Sequence, residues 1–263
     1  MRLYVEVAKR AFQRQLAYRT ANLAGLVTNA FFGYVRAAIF LAAYQTRESI
    51  AGYDAQAAVT YTWITQAIIM VVVMWGWWEV EVTIRSGDVV SDLAKPFSYL
   101  GFWLARDYGR AAYYLLFRCL PVLLVGQVFF GLRWPSHPAT WLALSVSLTL
   151  AVTLSFAWRF MINLSAFWTT DARGLGGIAS TLVLFLSGFV VPIRFFPDWL
   201  RGPVLALPFA GINQIPADVF LERLSPVELV GTLALQALWA VILLAAAQAL
   251  VAVATRRVVT QGG

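Results

Sequence analysis

The chain has 263 residues, 60% hydrophobic and only 13% charged, where a soluble domain averages about 45–50% apolar and about 25% charged. That excess excludes an ordinary water-soluble fold and requires the bilayer as solvent for much of the chain. The formal net charge is +7, yet the basic residues gather at the ends of apolar runs and not in one patch, which argues against a nucleic-acid-binding face and matches the pattern that orients membrane proteins.

Residues 1–22 interleave Arg2, Lys9, Arg10, Arg14 and Arg19 with Leu3, Val7, Phe12 and Leu16. A cleavable signal peptide has a short basic region and then an unbroken apolar core of about 7–15 residues, which is not this pattern. Apolar residues three to five apart predict a helix lying in the membrane interface, with a plain basic flank as the alternative. At about 20 apolar residues per crossing, six spans follow, near 23–44, 58–79, 111–131, 141–166, 174–193 and 227–254. Arg36 falls inside the first, where a central arginine costs about 3 kcal/mol on insertion scales unless it snorkels or faces a neighbouring helix.

Orientation follows from the Lys/Arg distribution. With both termini in the cytoplasm, the inner segments hold Arg2, Lys9, Arg10, Arg14, Arg19, Arg85, Lys95, Arg106, Arg110, Arg173, Arg256 and Arg257. The outer segments hold Arg47, Arg133, Arg194, Arg201 and Arg223. Twelve against five favours this topology. With no internal repeat, low-complexity tract or Gly/Ser linker, residues 1–263 read as one membrane domain.

Two connections are too long for simple turns: a cytoplasmic one near 80–110 and an external one near 194–226. In the first, Ser86 or Asp88 can cap a short helix starting near Val89, and Pro96 disfavours helix at Lys95. Val89, Val90 and Leu93 give that helix an apolar face, and Asp88, Asp92 and Lys95 give it charges. A short rigid helix there suits a membrane domain that receives force from a soluble motor; a solvated loop with one helical turn is the alternative. In the external segment Pro192, Pro197, Pro203, Pro208 and Pro216 recur among Phe, Leu and Trp. Each proline removes an amide donor, so a continuous span is excluded while short helices remain open. Irregular backbone at membrane depth must be packed in protein or line water, which predicts a plug or gate. An interfacial loop with an aromatic belt is the alternative.

Charged residues near the inner ends of spans suggest one internal contact. Glu79 or Glu81, at the end of span two, is expected to pair with Arg118 or Arg159 in spans three and four, with independent snorkelling as the alternative. Trp75, Trp77 and Trp78 suit interfacial anchoring or stacking against a substrate. Asp171 before Gly174, Gly176 and Gly177 reads as a turn into span five, with glycines permitting close helix contact.

Several of these residues together resemble a known family. The run Ile84-Arg85-Ser86-Gly87-Asp88, then Asp92-Leu93 and Lys95-Pro96, resembles the cytoplasmic loop of ABC-2 type permeases. It is most similar to the branch whose operons often encode one ATPase and two related permeases. Phe167-Trp168-Thr169, Ser187-Gly188, Pro192, Phe196-Pro197-Asp198-Trp199-Leu200, Leu207-Pro208-Phe209 and Pro216 follow in the order and spacing of that family's second half. Lys95 departs from the arginine more usual before the proline and keeps its charge. The resemblance covers essentially the whole chain. It implies an all-α, six-span membrane protein with an N-terminal interfacial helix, a coupling helix within 84–96 and external re-entrant helices within 194–226. It also implies that Arg85, Gly87, Asp88, Asp92, Leu93, Lys95 and Pro96 form the ATPase-coupling site. Pro192, Phe196, Pro197, Trp199 and Pro208 would belong to the external gate, and spans two and five would line a path shared with a second permease, identical or paralogous. Two copies of a separate ABC ATPase would carry the ATP and Mg, with no cofactor in this chain. The setting would be a bacterial inner membrane, as the Arg- and Ala-rich composition also suggests.

Other functions fare worse on the residues. A P-loop needs Gly-Lys-Ser/Thr, and the two lysines, Lys9 and Lys95, each follow an alanine, so any ATPase must be a partner. The single Cys119 and single His137, in different segments, leave no disulfide, no convincing metal site and no Ser–His pair within the spans. An ion channel or secondary transporter is the runner-up, weakened by the lack of a clear mid-span acid or repeated halves; a structural assembly factor remains a further possibility.

Overall fold

The computed structural model describes residues 1–169 and 171–261. The side chains of Arg19 and Arg257, which entered the orientation count, lie outside the described residues. Among the described residues the fold is all-α, with a single isolated bridge between Ile50 and Tyr53 as its only β-type pairing. It belongs to a polytopic membrane protein.

Among the described residues five helices are long and apolar enough to cross a membrane: Thr20–Ala43, Ala55–Val72, Tyr99–Phe130, Pro138–Thr169 and Pro226–Arg256. Before them comes α1 (Arg2–Leu16). It runs parallel to α6 (Tyr99–Tyr114), because the contacts of Tyr4 with Gly101 and Phe12 with Tyr113 rise together. A Cβ on Gly109 would come within 1.9 Å of the Ala8 carbonyl oxygen, so this glycine sets how closely the two helices approach. The first span is α2 (Arg19–Ala43). Its Arg36 neither snorkels nor meets a carboxylate. The guanidinium donates to Gln66 Oε1 at 3.2 Å and to the Phe189 carbonyl, and lies 4.5 Å over the Phe189 ring.

The central helix is α3 (Ala55–Val72), buried along nearly its whole length. Asp54 caps it by accepting from the Ala57 amide at 2.7 Å. The sequence reading carried this span to 79, but the helix stops at Val72. Val73 takes φ 44° and Gly76 φ 74°, and the chain runs unwound to α4 (Glu79–Ser86) and α5 (Val89–Leu93). The last carbonyls of a helix need partners, and here they come from other helices. Arg110 donates to the Met70 and Val71 carbonyls at 2.5 and 2.8 Å, and Ser155 Oγ donates to those of Val72 and Val73.

The third span also differs from expectation. Its helix begins at Tyr99, capped by Ser98, twelve residues before the predicted start at 111. It then passes through a π-helical turn, Leu115–Cys119, into α7 (Leu120–Phe130). Pro121 explains the turn: its ring would clash with the Phe117 carbonyl in a regular helix, and the wider turn relieves this. The fourth span is α8 (Pro138–Leu164) with α9 (Ala166–Thr169). The fifth expected span, 174–193, is the 14-residue α10 (Arg173–Leu186), about 21 Å long at 1.5 Å per residue and short of an apolar core of about 30 Å. Short helical pieces follow, among them α11 (Asp198–Ala206) and α12 (Gln214–Phe220), before the 36-residue α13 (Pro226–Gln261).

Two apolar clusters organise the bundle. The larger surrounds α3. The smaller joins Val80 and Val89 to Tyr99, Trp103, Phe156, Phe160 and, from α13, Ala247 and Val251. The end of the molecule holding this second cluster is called the connector end below.

Candidate coupling face and buried polar clusters

The connector end is built on Asn163 of α8. Its amide nitrogen donates to the carbonyls of Trp77 and Arg159 at 3.0 and 2.8 Å, and its amide oxygen accepts from the Glu81 amide at 2.9 Å. One side chain thus holds both the unwound strand leaving α3 and the start of α4. Val80 and Val89, 0% and 3% exposed, anchor α4 and α5 in the aromatic cluster beneath. Gly87 ends α4 in the left-handed conformation at φ 83°, which an L side chain would adopt only with strain. Of the residues expected to couple to an ATPase, Arg85, Gly87, Asp88, Lys95 and Pro96 are exposed, and Asp92 and Leu93 are half-buried. Asp92 accepts from Lys95 Nζ at 2.6 Å and Asp88 from Ser86 Oγ at 2.7 Å. The result is a charged, exposed tip on a packed apolar root, with Val90 also turned outward at 53% exposure.

Behind the tip lie the ion pairs, and they are not those expected. Arg159 pairs with Asp107 at 2.9 Å, and Asp107 also accepts from Arg110 at 2.8 Å. Glu79 bridges Arg14 and Arg106 at 2.7 and 2.8 Å. Glu81 meets Arg85 of its own helix at 3.2 Å. Arg118 donates to Asn29 Oδ1 at 3.4 Å and lies 5.8 Å from the Tyr114 ring centroid. No Glu79 or Glu81 pairing with Arg118 or Arg159 forms, because α6 starts early and brings Arg106, Asp107 and Arg110 into the bundle first. The reading of 80–110 as a connection missed Asp107. The available signals were Ser98 as an N-cap after Pro96 and the Asp107–Arg110 pair one helical turn apart.

At the opposite end, the segment expected to form a gate enters the bundle. Residues 208–221 are all buried. Gln214 Oε1 accepts from Tyr61 Oη and the Ile193 amide at 2.7 and 2.8 Å. Tyr61 Oη also lies 2.7 Å from the Gly188 carbonyl, which φ 80° at Gly188 turns toward it. Asp218 accepts from Tyr53 Oη at 3.0 Å and from Arg194 at 3.3 Å. The deepest part reaches far toward the connector: Phe209 packs edge-on against Trp158 at 5.0 Å, and Asn213 contacts Met74 Sδ at 3.0 Å, just past the end of α3. Of the five expected gate residues, Pro192 and Pro208 are buried, Phe196 is half-buried, and Pro197 and Trp199 are exposed. Trp75 is also exposed, while Trp77 stacks edge-on with Trp103 at 5.8 Å and lies 5.0 Å from the Arg159 guanidinium. Trp78 presses on Gly176, whose missing Cβ leaves room for the indole.

A comparison with curated proteins returns no match. A family model described as ABC-2 family transporter protein matches residues 32–262, from the middle of α2 through α13. The chain therefore belongs to the ABC-2 family of transporter proteins and is a membrane permease of that family.

Proposed function

We propose that the chain is the membrane-spanning subunit of an ATP-driven exporter in a bacterial inner membrane. The connector end faces the cytoplasm along with both termini. A separate ABC ATPase, in two copies carrying ATP and Mg, docks on the tip at 84–96. A second permease, identical or paralogous, completes the substrate path along α10; α3, expected to line it too, is instead buried within its own chain. ATP binding draws the ATPases together and pushes on α5, and the motion passes through α4 to the unwound end of α3.

The observation that carries this reading is a continuous line of contacts from the exposed tip to the buried segment at the other end. Val80 and Asn163 join α4 to α8, Asn163 holds the strand through Trp77, and Met74 of that strand touches Asn213 of the segment at 208–221. A push on the tip therefore reaches the plug without crossing a loose joint.

Affinity purification of the tagged protein from membranes in mild detergent, with mass spectrometry of what co-purifies, tests this. Wild type is expected to retain an ABC ATPase, and Asp88→Arg/Asp92→Arg to lose it while staying folded. A stable wild-type protein that brings down no ATPase sinks the coupling model and returns the channel or secondary-transporter reading. Any second permease in the wild-type sample distinguishes a paralogous pair from a homodimer.

A further inference from the structure

A cleft of about 260 Å³ opens between α1 and the first turns of α6, beside the unwound strand. Trp77, Phe102 and Trp103 form an aromatic wall, and Arg10, Arg14 and Arg106 bring guanidinium groups from two helices. Glu79 is the carboxylate that stands between Arg14 and Arg106. It is itself part-exposed and spans Arg14 and Arg106 with one oxygen each. Arg10 meets Glu6, one turn earlier in its own helix, at 3.3 Å, with both side chains well exposed. Asp107 is occupied elsewhere by Arg110 and Arg159. Three cations against two carboxylates, Glu79 and the well-exposed Glu6, leave one positive charge in excess at the cleft.

The chemistry of the anion that would balance this charge follows from the donors and the depth. Guanidinium forks match the spacing of phosphate oxygens and bind them bidentately, which favours phosphate over a single-point anion. Tryptophan beside arginine at the end of an apolar helix is the composition of the headgroup layer. One turn beyond Arg110 begins the apolar length of the span, with Phe117, Leu120 and Leu124 exposed along it. A headgroup held in the cleft would have its tail beside this apolar surface.

We propose that the α1–α6 cleft binds the phosphate headgroup of an anionic amphiphile, with Arg10, Arg14 and Arg106 as its ligands and Glu79 as the internal carboxylate that it displaces. Glu79 is the first residue of α4, so a phosphate that takes over Arg14 and Arg106 frees the root of the connector from α1. Occupancy of the cleft is thereby linked to the position of the tip. This link rests on the transporter reading; the binding itself does not and is measured without any ATPase.

The test uses the purified full chain in an uncharged detergent, with native mass spectrometry or thermophoresis against phosphatidylglycerol, phosphatidylcholine and inorganic phosphate. Wild type is expected to bind phosphatidylglycerol about tenfold or more tightly than phosphatidylcholine, and Arg10→Gln/Arg14→Gln to lose about tenfold as two charge-assisted contacts disappear. Glu79→Gln is expected to bind more tightly than wild type, since the competing carboxylate is gone; misfolding does not produce such a gain. Arg2→Gln/Lys9→Gln removes the same charge from α1 outside the cleft and is expected to stay within about twofold of wild type. Equal binding of the two lipids, equal loss in both double variants, or no gain in Glu79→Gln overturns the proposal. Inorganic phosphate competing as well as phosphatidylglycerol also overturns it, because the ligand is then a free anion and not an amphiphile.

Discussion

The two ends of the bundle bury polar groups in different ways. At the connector end the buried groups are ions: Asp107, 3% exposed, lies between Arg110 and Arg159; Arg110 also holds the backbone at the end of α3, and Arg159 donates to Ser155, which holds the carbonyls just beyond. At the opposite end most are neutral, Gln214, Asn213, Tyr61 and Tyr53, around one buried carboxylate, Asp218, 3% exposed and paired with the half-buried Arg194 at 3.3 Å. A buried ion pair has one acceptable arrangement, since separating the charges leaves each stranded in a low-dielectric surround. A neutral hydrogen bond contributes only about 1 kcal/mol net, and a new partner can replace the old one at small cost. The connector end is therefore held by ion pairs that tolerate no rearrangement, and the segment at 208–221 rests on neutral hydrogen bonds around a single buried carboxylate.

The strongest way to break that contrast is at Asp107. Asp107→Ala leaves Arg159, 5% exposed, without its carboxylate and should destabilise the protein by about 3–5 kcal/mol, as removal of one partner of a buried pair does. Thermal unfolding in detergent reads this directly. A melting temperature close to wild type would mean that the cluster carries no structural load and that the connector end is as loose as the other.

Next in size is Gly188→Ala, which acts on the opposite end alone. The new Cβ would sit 2.6 Å from Tyr61 Oη and 2.7 Å from Gln214 Oε1, on a backbone at φ 80°. The strain should cost about 1–3 kcal/mol and should unseat the buried segment while leaving the connector intact. The sole native cysteine, Cys119, is buried in the third span, so a Cys119→Ser background carrying Ala210→Cys gives a clean probe. Maleimide should label position 210 faster with Gly188→Ala than without it, and unchanged labelling would show that the hydrogen bonds around Gln214 do not hold the segment down.

The same contrast explains what was legible in the sequence. Spans one, four and six announce themselves because lipid-length apolar runs need no knowledge of partners. The short helix of the connector was legible through its start near Val89 and through Pro96, whose backbone preference is local. The break in α3 was not, because the apolar run continues through Val73, Met74 and Trp75 and the groups that end the helix, Arg110 and Ser155, come from other spans. The early start of α6 was hidden for a related reason. Arg106, Asp107 and Arg110 lower the hydropathy of 99–110, and only Arg159 and Glu79, distant in sequence, show why those charges are tolerated inside. The shortness of α10 follows from contacts of Gly188 with Tyr61 and Gln214, which no local pattern reveals. Charge type was easy to read, and charge pairing was misread.

The smallest expected effect sits at the outer margin of the neutral end and has a pH signature. Glu222, at φ 53°, turns its carboxylate onto the start of α8, where His137 supplies no side-chain cap. Burial alone would raise its pKa, but hydrogen bonds from Ser136 Oγ, Thr140 Oγ1 and the amides of His137 and Ser136 outweigh that and hold the carboxyl well below the usual carboxylate range. An anion at a helix N-terminus is favoured by the axial dipole and the free amides there. Because the folded state lowers the pKa, the contribution is fully present above the ordinary value of 4.5 and is lost as the pH falls through the lower folded value. Glu222→Gln should therefore melt below wild type at pH 7, and the gap should narrow as the pH drops below about 4.5. If the gap stays constant with pH, the shape and hydrogen bonds of the side chain, and not its charge, hold the start of α8.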